Sequence, residues 1–307
     1  MEKTYLFWYK SKEKFNFGDE LGPYVIKKLT DTSIKRVMIF SGKSSFLKEL
    51  MLLFLGIIKG YYRVIYLFEY LRGKIHSNYI VSIGSILHNN FSKSTKIWGA
   101  GIIDRKLSVN RAEFYAVRGY ETIKKLEELR YDLPVQVGDP ALLLPIVYKP
   151  ILERKNKIGV IPHIYHFKEM VEIIGENEDF LIIDLSEKNI EKTIDRIKSC
   201  KYVFSSSLHG LIVSHAYEVP ALHIEFGEKL SGDGVKFLDY FSSVKIHPYT
   251  PIRFPQTKLL NFEEIFNLFQ QYQTEAMPMY QEVEKIQLGL LRVAPFNLLE
   301  RYRELSK

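Results

Sequence analysis

Residues 202–225 read YVFSSSLHGLIVSHAYEVPALHIE, and they carry the most informative pattern in the chain. It predicts a buried strand, a polar turn, a helix, a proline-containing loop and a second strand. The polar turn consists of Ser205, Ser206 and Ser207. Leu208 and His209 then open the helix, whose first amide groups are free to bind an anion. Because ligands of open α/β sheets bind beyond the carboxyl ends of the strands, this turn is the first candidate site.

His209 is the candidate proton-transfer group of this site. An imidazole exchanges protons near neutral pH, and this one would lie beside the bound anion. A lone histidine is more often hydrogen-bonded within a core, but the serine-rich strand end favours a functional interpretation here. We interpret the serines as N-capping groups, anion ligands, or both. His215 and His223 are predicted to be structural.

Similar units of strand and helix recur along the whole chain. Short apolar runs predict strands at residues 4–9, 36–40, 79–84, 95–98, 113–117, 135–137, 157–161, 180–185, 202–206 and 221–226. Amphipathic segments between them predict helices, one at residues 121–129, one capped by Asn189 and one opened by a capping box of Asn261 and Glu264. Most of the strands are continuously apolar, as strands covered on both faces are. The sequence therefore predicts an α/β protein with parallel sheets.

The chain divides near residues 145–155, where two prolines and a charged cluster precede a new series of strands and helices. We expect two Rossmann-like lobes facing a cleft, at residues 1–148 and 149–275. Residues 276–307 show no strand pattern, and we expect a helical segment that packs back across the lobes.

Composition excludes several classes of protein. Lys and Arg total 43 and Asp and Glu total 36, so the net charge is +7. This moderate excess is compatible with an anionic ligand, an anionic membrane face or nucleic acid. The single cysteine, Cys200, rules out an intramolecular disulfide and cysteine-based zinc sites. No apolar run is long enough for a signal peptide or a membrane span, so we expect a cytoplasmic protein.

Residues 35–74 stand out because basic residues alternate there with aromatic and aliphatic ones. The basic residues are Lys35, Arg36, Lys43, Lys48, Lys59, Arg63, Arg72 and Lys74, against only Glu49 and Glu69. The preferred interpretation is a pair of core helices with solvated basic edges. The alternative is an interfacial helix that contacts anionic lipid, which would make the protein peripheral at the inner membrane face.

Several short motifs, in this order, resemble the polysaccharide pyruvyl transferase family. They are Asn16-Phe-Gly18-Asp19, Ser82-Ile-Gly-Ser85, Trp98-Gly99-Ala-Gly101, Val117-Arg118-Gly119, Val137-Gly-Asp139-Pro-Ala141 and the Ser-Leu-His-Gly of residues 207–210. The resemblance covers residues 15–245. Many members of the family carry arginine where this chain has Ser207, so another cation must compensate for it.

The resemblance implies a two-lobed architecture like that of GT-B glycosyltransferases. It also implies transfer of a pyruvyl unit from phosphoenolpyruvate to sugar hydroxyls, which forms a ketal. Such a transferase acts in the biosynthesis of a capsule, an exopolysaccharide or another cell-surface glycan, on an acceptor that can be lipid-linked. The first lobe would hold the acceptor and the second the phosphoenolpyruvate. Neither a metal nor an organic cofactor is implied.

Candidate site residues follow from the resemblance together with position. His209 would act in acid–base catalysis, and Arg118, at a strand end, would grip a carboxylate or phosphate. Asp19 and Asp139 would bind acceptor hydroxyls or orient His209, although turn formation and helix capping explain them equally well. The remaining substrate-binding candidates are Ser205, Ser206, Ser207, Leu208, Lys229, Gly18, Gly99 and His163.

Two other functions remain open from the sequence. A GT-B glycosyltransferase with a nucleotide-sugar donor would use the same cleft and the same helix N-terminus. A binding or scaffold protein that keeps the fold without turnover is consistent with Ser207 in place of arginine. Nucleic-acid binding is disfavoured because no compact basic stripe accompanies a reading helix.

Overall fold

The computed structural model describes residues 2–10, 15–40, 45–153, 157–226, 232–253 and 261–307. Within them the chain forms two parallel β-sheets. The strands of the first sheet are β1 (Lys3–Phe7), β2 (Ser33–Val37), β3 (Ile80–Val81), β4 (Lys96–Trp98), β5 (Glu113–Val117) and β6 (Gln136–Val137). The strands of the second sheet are β7 (Ile158–Ile161), β8 (Phe180–Ile182), β9 (Tyr202–Ser205), β10 (Ala221–Glu225) and β11 (Ile252–Arg253).

The spatial order of the strands is β2-β1-β3-β4-β5-β6 in the first sheet and β11-β10-β9-β7-β8 in the second. Every neighbouring pair is parallel. In both sheets the strand order changes direction next to the first strand, and ligands of open α/β sheets bind at such switch points. The predicted α/β class with parallel sheets is confirmed.

Helices connect the strands. In the first half they are α1 (Phe17–Leu29), α2 (Phe46–Ile58), α3 (Ile65–Ile75), α4 (Tyr120–Glu128) and α5 (Leu144–Val147), with a 3₁₀ turn at Pro140–Leu143. In the second half they are α6 (Phe167–Ile174), α7 (Ile190–Lys198), α8 (Leu208–Ala216), α9 (Val235–Ser243), α10 (Phe262–Gln271), α11 (Gln273–Ala276), α12 (Tyr280–Arg292) and α13 (Glu300–Leu305). None of the helices in the described ranges is long and apolar enough to cross a membrane.

Local sequence signals place these elements well. All ten predicted strands are present; β5 has the predicted ends, the others are shortened or shifted, and β2 starts three residues earlier than predicted. Asn189 caps α7 through the Lys192 amide, and Asn261 forms the predicted capping box with Glu264. Strand β11 was not predicted, because two residues at a sheet edge carry no apolar run.

Helix α8 is the central helix of the molecule. It is apolar on all sides, and nearly all of its residues are buried. It packs against β9 and β10 of its own sheet and also against α1 and the 3₁₀ turn that follows β6. The N-terminus of α8 is therefore held where the two halves of the chain meet.

The last helices return to the first sheet. The indole nitrogen of Trp98 donates to the carbonyl of Leu290 in α12, at 3.0 Å, and the Leu299 amide donates to the carbonyl of Leu29. A side chain on Gly138 would overlap Ile286 of α12, so glycine permits this close contact. The segment at residues 276–307 is helical and packs on the first half. The domain limits at 148 and 275 stay a prediction.

The helix pair predicted in residues 35–74 is present as α2 and α3, but its expected burial in the core is not found. Leu47 of α2 is 75% exposed and Ile58 is 79% exposed. Among the basic residues of this region, Lys43 lies outside the described residues.

Candidate functional site

His209 lies at the meeting point of the two halves. It is the second residue of α8, and its imidazole packs directly on the backbone of Gly18 in the first turn of α1. A Cβ atom at position 18 would overlap the imidazole Nδ1, so only glycine leaves room for the ring. Asn16 caps α1 by accepting from the Gly18 amide at 3.1 Å. The Asn-Phe-Gly-Asp motif thus builds the surface on which His209 rests.

Asp139 faces the other nitrogen of this imidazole. Its Oδ2 lies 3.7 Å from Nε2 of His209, and neither atom has a hydrogen-bond partner among the described residues, although both are buried. The other oxygen, Oδ1, accepts from the Ala141 amide at 2.9 Å and so caps the 3₁₀ turn. The structure therefore shows the capping role of Asp139, and its second oxygen is placed where it would stabilise a protonated His209; that this carboxylate orients His209 stays a prediction.

Asp19 completes this cluster from the first turn of α1. Burial raises the pKa of its carboxyl from 3.8 to about 7, and the charge of His209 partly opposes the rise. A carboxyl that titrates near neutrality beside an imidazole can exchange protons with substrate. The structure thus brings together Gly18, Asp19, Asp139 and His209, which are four of the residues expected from the sequence.

The pH dependence of stability provides a test of the Asp19 environment. Because the pKa of Asp19 is higher in the folded chain than in the unfolded chain, its contribution to the free energy of unfolding falls as the pH rises from about 4 to 7. Asp19→Asn cannot ionise, so we expect it to be more stable than wild type by about 4 kcal/mol at pH 8 and close to wild type in stability at pH 4.

Urea unfolding at the two pH values measures this difference. Asp132→Asn, at an exposed position, is the control and should leave the pH dependence unchanged. An Asp19→Asn protein that is less stable than wild type at pH 8 would show that ionised Asp19 is stabilised in the fold.

The serine turn is partly structural. Ser205 is fully buried, and its hydroxyl donates to the carbonyls of Ile161 and Ser207. Gly210 is required here because a Cβ atom would overlap this hydroxyl. The hydroxyl of Ser206 accepts from the His163 amide at 3.0 Å, which joins the ends of β9 and β7.

The N-terminus of α8 has free donors. Ser207 occupies the N-cap position, but its side chain makes no capping hydrogen bond. Among the described residues, no acceptor bonds the amides of Leu208, His209 and Gly210. These amides, with the Ser207 hydroxyl, can bind an anion at the carboxyl edge of the second sheet. The side chain of Leu208 is buried in the core, so this residue contributes its backbone rather than a side-chain contact.

Lys236 and two histidines lie close together at the same edge. Lys236, in the first turn of α9, is half-buried and bonds no carboxylate among the described residues. Burial, together with the nearby charges of Lys236 and His166, lowers the pKa of His163 to about 4. The pKa of His223 is also lowered to about 4 by burial and by Lys236. One cation, Lys236, and two neutral imidazoles thus lie together beside the serine turn, and a bound anion would favour protonation of these imidazoles.

Sequence reasoning missed Lys236 and assigned His223 to structure alone. His223 does have structural contacts, because its ring stacks on Phe237 at 3.7 Å. A cation in the first turn of a helix opposes the helix dipole, and this signal was present at Lys236. His215 is bonded to the Tyr240 hydroxyl and the Ala221 carbonyl, as expected of a structural histidine.

The position of Arg118 corrects the expectation that it grips an anion. Its side chain is fully buried, and its Nε donates to Oδ2 of Asp239 in α9 at 3.0 Å. Its other nitrogens donate to the Ser85 hydroxyl and the Ile102 carbonyl. Asp239 also accepts from the amide and hydroxyl of Thr122 in the first turn of α4. Arg118 therefore joins the two halves of the chain and presents no donor to solvent.

Gly99 is a further candidate that packing explains. Gly99 adopts a left-handed backbone, with φ of 93°, and a side chain there would overlap Pro140. Its glycine is explained by this packing rather than by substrate contact. Lys229 lies outside the described residues. No cluster of three or more metal-ligating His, Cys, Asp or Glu side chains is found in the described ranges.

Comparison with known proteins agrees with this geometry. The family model for polysaccharide pyruvyl transferases matches residues 16–227, about two thirds of the chain. The matched range contains Asp19, Asp139 and His209. The chain is also 30% identical, over 171 residues, to an uncharacterized protein of Acanthamoeba polyphaga mimivirus. This match spans 52% of the chain and 58% of the viral protein.

Proposed function

Because the chain belongs to the polysaccharide pyruvyl transferase family, we propose that it moves the pyruvyl unit of phosphoenolpyruvate onto two hydroxyls of a saccharide. The product is a pyruvate ketal, and the pathway is assembly of a capsule, exopolysaccharide or related cell-surface glycan. The observation that carries this proposal is the position of His209 between Asp19 and Asp139, beside the free N-terminus of α8. We further propose a GT-B-like arrangement in which the two lobes face a cleft, and a reaction that takes place in the cytoplasm.

The donor would bind at the carboxyl edge of the second sheet. Phosphoenolpyruvate carries up to three negative charges on a phosphate and a carboxylate, and it needs amide donors and cations. The first amides of α8 would bind one of these groups, with Lys236 and His163 beside it. Lys236 would supply the cation that many family members place at the position of Ser207. Binding of the anion would raise the pKa of His163 from about 4 and favour its protonated form.

The chemistry requires two proton-transfer groups. A proton must reach the methylene carbon C3 of phosphoenolpyruvate, which makes C2 electrophilic. A sugar hydroxyl then attacks C2 and loses its proton, phosphate leaves, and a second hydroxyl closes the ketal with loss of another proton. His209 and Asp19 lie where they can exchange these protons, and Asp139 would stabilise the imidazolium form of His209. The acceptor would approach from the first lobe, whose residues Gly18 and Asp19 border His209.

Donor binding can be tested without knowledge of the acceptor. We expect phosphoenolpyruvate to raise the melting temperature of the wild-type protein in a saturable way. Lys236→Met should weaken this binding by at least about tenfold, because a charge-assisted hydrogen bond is lost. Thermal-shift titration measures both. UDP-glucose is the comparison ligand, since a GT-B glycosyltransferase would use the same helix N-terminus for the phosphates of its donor.

The matched control is Lys168→Met, which removes an exposed lysine of α6 from the same half of the chain and should bind phosphoenolpyruvate as wild type does. A shift with UDP-glucose and none with phosphoenolpyruvate would replace the proposal with a glycosyltransferase. Saturable binding of phosphoenolpyruvate, with no phosphate release across a panel of saccharide acceptors, would favour a binding protein that keeps the fold.

A further inference from the structure

Helix α2 turns most of its large apolar side chains outward and buries its one carboxylate. The buried side of the helix contains its one carboxylate, Glu49, together with Leu53 and Gly56. Large apolar side chains point outward instead, at Phe46, Leu47, Met51, Leu52, Phe54, Leu55 and Ile58. A helix on the surface of a globular protein normally has the opposite arrangement, with its apolar stripe toward the core.

Polar contacts fix this orientation. Glu49 accepts from the Tyr70 hydroxyl of α3 at 2.6 Å and pairs with Lys74 at 2.9 Å, and it is only 2% exposed. Gly56 lies directly against the ring of Tyr62 in the turn between the helices. Rotating α2 to bury its apolar face would break the Glu49 contacts and expose the carboxylate. The contacts of Glu49 therefore hold the apolar face of α2 outward.

Helix α3 attaches this surface to the first sheet. The Met38 amide, just after β2, donates to the Glu69 carbonyl, and the Glu69 carboxylate pairs with Arg36. Arg72 donates to the Arg36 carbonyl. Two of the basic residues noted in the sequence, Arg36 and Arg72, are thus used inside the fold, at the carboxyl end of β2.

The exposed apolar surface is continuous with the turn and with α3. It includes Tyr61, Val64, Ile65 and Phe68, each of which is about half exposed or more. Half of the exposed large apolar side chains in the described part of the chain lie in residues 46–75. We call the outward side of residues 46–68 the α2 surface. An apolar patch of this extent marks an interaction site, because scattered exposure would not concentrate in one hairpin.

All exposed charges on the α2 surface are positive. Lys48, Lys59 and Arg63 are exposed and pair with no carboxylate among the described residues. The only acidic residues of this region, Glu49 and Glu69, are both buried. A second copy of the chain seated on this surface in a symmetric dimer would bring like charges together. A surface with anionic groups above an apolar layer complements both features.

We propose that the α2 surface binds an anionic membrane, with α2 lying in the interface. Its apolar side chains would enter the boundary between headgroups and acyl chains, and Lys48, Lys59 and Arg63 would contact the anionic headgroups. The 13 residues of α2 extend roughly 20 Å, which is too short to span the hydrocarbon core. The inference rests on α2 and its surroundings and does not depend on the proposed reaction.

Vesicle sedimentation tests the proposal with the full chain. We expect the protein to sediment with vesicles of phosphatidylcholine and phosphatidylglycerol at a 7:3 molar ratio, and much less with phosphatidylcholine alone. The charge variant Lys48→Gln/Lys59→Gln/Arg63→Gln should bind the anionic vesicles at least about tenfold more weakly. The apolar variant Leu47→Ser/Leu55→Ser/Ile58→Ser should lose binding to a similar degree.

Matched controls separate the surface from general charge and exposure. Lys106→Gln/Lys168→Gln/Lys188→Gln removes the same charge from exposed positions elsewhere and should bind as wild type does. If this control bound the anionic vesicles as weakly as the charge variant does, the loss of binding would reflect net charge alone, and the proposal would be overturned. The proposal would also be overturned if the wild-type protein did not sediment with anionic vesicles. It would likewise be overturned if size-exclusion chromatography showed a dimer that only the apolar variant converts to a monomer. Because the readout is binding, failure here leaves the donor titration with phosphoenolpyruvate unaffected.

Discussion

Replacing Arg118 with methionine is expected to lower the free energy of unfolding by about 3–5 kcal/mol. The variant leaves the Asp239 carboxylate fully buried without its guanidinium partner, between α9 and the first sheet. It also removes the donors to the Ser85 hydroxyl and the Ile102 carbonyl. Urea unfolding measures the loss, which is large because a buried charge without a partner cannot be solvated.

Arg105→Met is the matched control. Arg105 also joins the two halves of the chain, through Glu121 and Asp233, but it is 44% exposed. We expect it to cost at most about 1 kcal/mol, since exposed ion pairs are screened by solvent. The double variant Arg118→Met/Asp239→Leu should recover only part of the stability, because Asp239 also accepts from the amide and hydroxyl of Thr122.

The Arg118 experiment also separates a structural role from a ligand-binding one. If Arg118 is structural, phosphoenolpyruvate should still bind Arg118→Met at a temperature where the variant is folded. Wild-type stability combined with lost donor binding would instead restore the expectation drawn from the sequence, that Arg118 grips the donor. The two roles therefore give opposite patterns in the same pair of measurements.

Arg118 also illustrates where sequence reasoning stops. The positions of the strands and of α8 were predictable, because apolar runs, caps and the serine turn are local signals within residues 202–225 and their counterparts. The partner of Arg118 lies 121 residues away in the chain, and nothing near Val117-Arg118-Gly119 indicates it. Gly119 is explained by the same distant residue, since a Cβ atom at position 119 would overlap the carbonyl oxygen of Asp239. The motif could be recognised in the sequence, but the contacts that require these residues form only in the folded chain.

The candidate site shows the same division. The motifs containing Gly18, Asp139 and His209 could each be found in the sequence, but not the unpartnered atoms that face each other at 3.7 Å. The raised pKa of Asp19 depends on burial that only the folded chain creates. In α2, the pattern of apolar residues fixes a helix, whereas the buried Glu49 decides which face points outward. A long-range contact, rather than periodicity, determines that orientation.

The largest expected effect on activity is that of His209→Asn. We expect its kcat, measured as phosphate release from phosphoenolpyruvate with a saccharide acceptor, to fall by about 10²- to 10⁴-fold. Donor binding should change little, because the amides of α8 and Lys236 remain in place.

Asp139→Asn should lower kcat at least about tenfold, since an amide cannot stabilise an imidazolium as a carboxylate does. His247→Asn, at an exposed position, is the control and should match wild type.

A pair of glycine variants tests whether the position of the ring, and not only its presence, limits the rate. In Gly18→Ala the added methyl group would overlap Nδ1 of His209 and displace the ring from Asp139, so kcat should fall while donor binding is retained. Gly22→Ala lies one turn further along α1, where the nearest atom to an added Cβ is 3.7 Å away, and it should remain fully active. Equal activity of the two variants would show that His209 acts without the support of α1. A deficit confined to Gly18→Ala would tie the Asn-Phe-Gly-Asp motif to catalysis through the ring that it positions.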